Sequence, residues 1–173
     1  MNIRDATAAD LPEILAIHND AVLTTTAIWN ETAVDLENRS AWFTERTRSG
    51  YPVLVAEDAE RVIGYATFGD FRPAEGYRHT VELSVYVGPD RRGNGVGAAL
   101  LASLIERARL LGKHVIVAGV ESSNDRSLRL HERLGFVRVG CLKEVGTKFG
   151  RWLDLTFMQR TLDGEPTAAS RGD

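Results

Sequence analysis

Glu82-Leu83-Ser84-Val85-Tyr86-Val87-Gly88-Pro89-Asp90-Arg91-Arg92-Gly93-Asn94-Gly95-Val96-Gly97-Ala98 is the stretch whose reading decides the fold. It opens as a β-strand over Thr80–Val87, with Val81, Leu83, Val85 and Val87 on one side and Glu82, Ser84 and Tyr86 on the other. Then come two arginines, three alternating glycines and a helix start. Glycines there leave the backbone approachable, and the first N–H groups of a helix point outward with partial positive charge. Such a turn is a seat for a phosphate-bearing ligand. A strand lying mid-chain with a polar face also lines a cleft.

Working outward, Ile3–Ala6 reads as a first strand. Thr7 and Asp10 then set a capping-box-like start ahead of Pro12. Leu11, Ile14, Leu15, His18 and Val22 recur at helical spacing, with His18 at the boundary of the stripe. Thr24–Thr32 is a polar loop exposing Ile28 and Trp29, the tryptophan being either an anchor or the wall of a pocket. Asp35 caps a second helix that carries Leu36, Trp42 and Phe43 and stops at Gly50.

Tyr51–Glu57 and Val62–Phe71 pair as a hairpin across Asp58-Ala59-Glu60-Arg61. Beyond the glycine turn, a helix runs to Leu111, burying Val96, Leu100, Leu101, Leu104, Ala108 and Leu111, and Gly112 closes it. His114–Val120 is an apolar strand suited to cover on both faces. A last helix runs from Ser123 or Asn124 to Gly135, and Phe136–Lys148 and Arg151–Arg160 form a hairpin around Phe149-Gly150. The order βααβββαβαββ describes an α+β fold, a mixed and mostly antiparallel sheet flanked by helices. Residues 1–162 read as one domain and residues 163–173 as a mobile tail.

Composition narrows the function classes. A net charge of −3 without basic blocks argues against a general nucleic-acid binder. No long apolar run marks a membrane span or leader, and Cys141 is the single cysteine, so the expected compartment is the cytoplasm. No His/Cys/Asp/Glu spacing suggests a metal site. A dinucleotide site places its glycines after the first strand of a parallel unit, and a Walker A loop ends in Gly-Lys-Ser/Thr. This turn does neither.

Arg92-x-x-Gly95-x-Gly97 after Val85-Tyr86-Val87 resembles the acetyl-CoA signature of the GNAT N-acetyltransferases. Asn124, Ser127 and His131 share one helical stripe ahead of Leu134-Gly135-Phe136, and they resemble that family's second signature. Thr26–Trp29, Phe68–Pro73, Gly76–Glu82 and Gly146–Asp154 sharpen the likeness to phosphinothricin and methionine sulfoximine or sulfone acetyltransferases. The likeness covers about Asn2–Leu162. Some relatives carry a polar residue after the strand glutamate where this chain has Leu83.

The resemblance implies acetyl-CoA as cosubstrate. Its pyrophosphate would lie on Arg92, Gly93, Asn94, Gly95, Val96, Gly97 and Ala98. Its pantetheine arm would run along Val85, Tyr86 and Val87, with Asn124 and Ser127 assisting. Acetyl transfer needs a base for the amine, donors for the oxyanion and a proton for the thiolate. Glu82, through water, is the expected base, and backbone N–H groups near Val85 are the oxyanion donors. His131 either protonates the thiolate or hydrogen-bonds it. Cys141 has no base beside it in sequence and is not a nucleophile.

A small amino-acid-like amine would meet Phe71, Arg72, Glu75, Gly76, Tyr77 and Arg78, with Trp29 as a wall; arginines suit carboxylate and oxidised sulfur or phosphorus groups. Relatives dimerise through the terminal hairpin containing Lys148 and Trp152, so a homodimer is expected. Two alternatives stay open: a protein N-terminal or other small-amine acetyltransferase, and a non-catalytic acyl-CoA-binding regulator.

Overall fold

A computed structural model of the chain describes residues 1–162, and the tail expected over 163–173 lies outside the described residues. The elements are β1 (Asn2–Asp5), α1 (Leu11–Thr24), α2 (Leu36–Arg48), β2 (Val53–Asp58), β3 (Arg61–Asp70), β4 (Thr80–Val87), α3 (Val96–Leu110), β5 (Val115–Glu121), α4 (Asp125–Arg133), β6 (Val137–Lys148) and β7 (Arg151–Thr161). Their order is the one read from the sequence. The strands form one sheet in the order β1-β2-β3-β4-β5-β7-β6, with every neighbouring pair antiparallel except β4 and β5.

Local chemistry sets the punctuation. Asp35 Oδ1 accepts the Asn38 N–H at 2.9 Å to start α2. Gly50, Gly112 and Gly135 end α2, α3 and α4 with positive φ. Both tight hairpins turn on two residues with positive φ, Ala59-Glu60 and Phe149-Gly150, the backbone whose twist matches antiparallel strands.

The sheet is covered on both faces. On one, α3 and α4 bury Phe68, Leu100, Leu104, Ile116 and Met158. On the other, α1 and α2 pack Leu11, Ile14, Ile17, Val55 and Tyr65. Each such side chain contributes about 1.5–3 kcal/mol of burial. His18 stands at the edge of the second cluster, its Nδ1 3.2 Å from the Tyr65 hydroxyl, and burial together with Arg39 pushes its pKa down to about 4.

Four expectations are corrected. Ile17 and Ala21 complete the α1 stripe in place of Leu15, which is only half-buried, because the helix faces the sheet along a slightly rotated line. Leu111 follows the last turn of α3 and is exposed, while Ile105 faces inward. Trp29 and Ile28 are half-buried rather than exposed, since the Trp29 ring lies against Gly146 and its Nε1 donates to the Thr26 carbonyl at 3.0 Å. β5 is covered on its Ile116–Ala118–Val120 face, but Val115, Val117 and Gly119 face cavities.

β4 and β5 pair only over Thr80–Glu82 and Val115–Val117. Beyond that register they separate, and the sheet is split from one end. Gly88 donates to the Ile63 carbonyl, so by strand periodicity the even-numbered backbone groups of β4 face β3. The odd-numbered ones, Val85 and Val87 among them, face the split.

The first strand is tied to α1 by charge. Arg4 bonds both Asp10 oxygens at 2.8 Å and Glu57 at 2.8 Å, and Asp10 also accepts the Thr7 N–H at 2.7 Å. The Arg4 bond holds the Asp10 carboxyl down to about 2 from an ordinary 3.8. A depressed carboxylate stabilises the fold above its unfolded pKa, and that stability is lost as pH falls from about 4 to about 2. Asp10→Asn is therefore expected to cost about 2 kcal/mol at neutral pH and almost nothing below about pH 2, as read by urea melts at the two values.

Candidate active site

The split between β4 and β5 opens into a cavity of about 810 Å³, large enough for an extended cofactor. Its walls are Glu82–Val87 of β4, Ala118–Glu121 of β5, the glycine turn, one side of α4 and Ala21, Thr25 and Ala27 near the end of α1.

At the mouth stands the N-terminus of α3. Its first helical bond runs from the Ala99 N–H to the Gly95 carbonyl at 3.0 Å, which leaves the N–H groups of Val96, Gly97 and Ala98 without helical partners. Gly95 caps the helix with φ +81°, and a Cβ there would meet no atom within 4 Å, so the turn is an open cradle. Gly93, at φ +95°, has the Arg126 guanidinium 3.0 Å from where its Cβ would be.

The two turn arginines are engaged elsewhere. Arg92 donates to the Val87 carbonyl at 3.1 Å and pairs with Asp20 of α1 at 2.6 Å, and Arg91 pairs with Asp58 at 3.1 Å. Both line the cavity, but their guanidinium groups also fasten the turn to α1 and β2. Arg126, Arg129 and Arg133 of α4 line the same cavity and supply a basic wall that the sequence reading missed. Their spacing of three and four on one helix was the available signal.

On α4, Asn124 is the N-cap, its Oδ1 accepting the Ser127 N–H at 3.1 Å. The carboxamide NH2 stays available for a ligand. His131 is buried; its Nδ1 lies 2.8 Å from the Ser127 carbonyl, an acceptor, so the proton is on Nδ1. Nε2 is then a bare acceptor with no protein partner. Burial pushes the pKa down, against the pull of the Ser127 carbonyl, and keeps the ring neutral.

Glu82 is half-buried and reaches over β5, its Oε1 3.3 Å from where a Gly119 Cβ would lie. Gly119 thus makes room for the carboxylate, another contribution not visible from sequence. Among the described residues no hydrogen-bond partner meets that carboxylate. Desolvation raises its pKa, with the Arg72 cation pulling the other way. Tyr86 turns its backbone to β3 and its ring onto Tyr65, 5.2 Å between centroids, so it meets the cavity by its ring.

A second, smaller cavity of about 390 Å³ lies over the paired ends of β4 and β5 and over β6 and β7. Thr80, Val115, Val117, Phe157 and Gln159 form its floor and Phe71 and Tyr77 its side, the two rings edge to face at 5.8 Å. The Arg72 guanidinium lies 4.4 Å over the Phe71 ring. Val117 is the register partner of Glu82, so a wall residue of the larger cavity and a floor residue of the smaller one lie side by side in the sheet. Arg72, Glu75, Gly76, Arg78 and Asn94 are exposed and line neither cavity; Arg78 donates to the Glu75 carbonyl. Trp29 lines neither, being packed on Gly146. Among the described residues no cluster of His, Cys, Asp or Glu is placed to hold a metal, and no helix is long and apolar enough to cross a membrane.

Residues 14–136 match the Acetyltransferase (GNAT) family. The L-methionine sulfoximine/L-methionine sulfone acetyltransferase of Pseudomonas aeruginosa is 64% identical over 163 residues, 94% of this chain and 95% of its own. A crystal structure of a ribosomal-protein-alanine N-acetyltransferase from Brucella melitensis has a TM-score of 0.93 and 59% identity, over 94% of this chain and 100% of that one. A GNAT superfamily phosphinothricin acetyltransferase from Sinorhizobium meliloti, in complex with acetyl-CoA, has a TM-score of 0.93 and 42% identity, over 99% of this chain and 93% of that one.

The electrostatics of the site are measurable without ligand. The Glu82 carboxyl should titrate by NMR above the ordinary glutamate value, and Arg72→Gln should raise its midpoint further by removing the opposing cation. His131 should stay neutral and protonated at Nδ1 at neutral pH, with a midpoint below that of a free histidine.

Proposed function

The chain belongs to the GNAT family of acetyltransferases, and from that premise we propose that it moves acetyl from acetyl-CoA to the α-amine of a small amino-acid analogue. Methionine sulfoximine, methionine sulfone and phosphinothricin are the acceptor types. The observation that carries this reading is the desolvated Glu82 carboxylate, which lines a cofactor-sized cavity and pairs in register with Val117 of a small aromatic one.

Bound acetyl-CoA supplies the acetyl group as an activated thioester. The open cradle at Gly95 fits its pyrophosphate, with the N–H groups of Val96, Gly97 and Ala98 as donors and Arg92 and Gly93–Asn94 completing the turn. We add Arg126 as a phosphate ligand. Val85 and Val87 present backbone groups to the split, where they receive the amides of the pantetheine arm, while Asn124 and Ser127 flank it. Val85 N–H is the donor assigned to the developing oxyanion.

Glu82 takes the proton of the amine, through a water. Desolvation raises its pKa and makes it a better base than an exposed carboxylate, and the Arg72 cation opposes that rise. His131 holds no proton on Nε2, so it neither protonates the thiolate nor donates to it; the role we assign it is to accept a hydrogen bond, from the S–H of CoA once water has protonated the sulfur or from an N–H of the pantetheine arm. We assign Arg72, whose guanidinium stacks on the Phe71 ring, the pairing with the acceptor's anionic group, and Phe71, Tyr77, Val117 and Phe157 suit a short apolar side chain.

The Brucella relative's name favours a second reading, acetylation of protein N-termini. The edge-to-face Phe71–Tyr77 pair beside the smaller cavity favours a compact acceptor instead. We also propose a homodimer through the β6–β7 hairpin. β6 is an edge strand, paired only with β7, with Val137, Val139, Leu142 and Val145 exposed, and Trp152 beside it is 67% exposed.

CoA release with methionine sulfone, methionine sulfoximine or phosphinothricin tests the reading; release only with N-terminal peptides selects the alternative. Glu82→Gln should lower kcat/KM by about a hundredfold, leave acetyl-CoA affinity unchanged and abolish the fall of wild-type kcat/KM toward low pH. Gly95→Val should eliminate acetyl-CoA binding in calorimetry by filling the cradle and straining a left-handed backbone. Trp152→Asp with Val139→Asp should shift a light-scattering mass from two chains to one.

A further inference from the structure

Lys148 ends β6 and is 1% exposed. An ammonium tolerates such burial only when its donors are used. Its Nζ donates to the carbonyls of Val22, of Thr25 at 2.6 Å and of Ile28, three acceptors for three N–H groups. Val22 lies in the last turn of α1, where carbonyls lack helical partners and the dipole is negative. The Phe149 ring lies 4.7 Å from Nζ. Burial lowers the Lys148 pKa and Glu31 opposes that shift. A neutral amine has one N–H fewer and would leave one carbonyl bare.

The segment held in this way is fastened at three further points. Thr26 Oγ1 donates to Glu121 Oε2 at 3.1 Å, at the end of β5. The Trp29 ring fills the space over Gly146, where a Cβ would sit 2.2 Å from it. The Phe149 N–H donates to Glu31 Oε1 at 2.9 Å. Between these fixings Thr25 and Ala27 face the cavity that contains Glu82.

We propose that Lys148 is a positioning residue for acceptor binding: from the C-terminal hairpin it fixes the segment after α1, and through it the wall along which the amine approaches Glu82. The proposal rests on the acetyl-transfer reading above. Thr25 and Ala27 line the larger cavity together with Glu82, but Lys148 touches neither the glycine turn nor α4, so the pyrophosphate seat keeps its own supports when the clamp is removed.

Lys148→Met keeps the side-chain length and removes the donors. Its KM for methionine sulfone should rise about tenfold or more, with acetyl-CoA affinity by calorimetry within about twofold of wild type. Gly146→Ala displaces Trp29 while leaving Lys148 in place, should shift KM in the same direction, and decides the matter if Lys148→Met does not fold. In both variants, without ligand, hydrogen exchange at residues 25–29 should be about tenfold faster while α3 and β4 are unchanged. An unchanged acceptor KM in the folded variants, or an acetyl-CoA affinity that falls in step, overturns the proposal. A wild-type chain that releases no CoA with any amine overturns the acetyl-transfer reading instead, and the exchange measurement then decides alone whether Lys148 fixes the segment.

Discussion

Two parallel strands that pair for three residues and then part are the constraint on which the rest of this structure depends. A sheet can lose a backbone ladder in its interior only where something else satisfies the groups set free. Here the odd-numbered groups of β4 are released to a cavity, and the helix that follows β4 starts at the mouth of the same split. One strand therefore presents backbone donors along the cavity, and one helix presents them at its entrance. Side-chain chemistry is added to a site that the backbone has already made.

The charges follow from that split. Glu82 lies on the last paired residue of β4, so its carboxylate is far enough inside to be desolvated yet faces open space because position 119 has no side chain. His131 is buried by the helix that forms the opposite wall, and the Ser127 carbonyl one turn back sets its tautomer. Arg72, on a loop over the second cavity, is the cation that moderates Glu82.

The periphery does more than cover the core. Arg92 and Arg91, which look in sequence like phosphate ligands, also brace the turn against Asp20 and Asp58. The terminal hairpin extends the sheet by two strands and sends Lys148 into the end of α1. A strand pairing at one edge of the sheet thus controls a loop conformation on its opposite face. The same hairpin leaves Val137, Val139, Leu142, Val145, Phe149 and Trp152 exposed, so the element that buries Lys148 also carries an apolar outer surface.

Element order, helix caps, both two-residue hairpins and the glycine cradle were legible in the sequence, because periodicity, capping chemistry and positive φ are local properties. The face of Glu82 was legible too, since side chains alternate along any strand. What tertiary structure alone decided is which distant residues share a space. Gly119 reads as an ordinary strand glycine until it lies beside Glu82, and Trp29 reads as a pocket wall until Gly146 takes its ring. Lys148 reads as part of a dimerising hairpin until three carbonyls at and just after the end of α1, more than a hundred residues earlier, surround it. Sequence determines local conformation and side-chain direction; desolvation, close approach and the choice among polar partners depend on long-range packing, which no local pattern encodes.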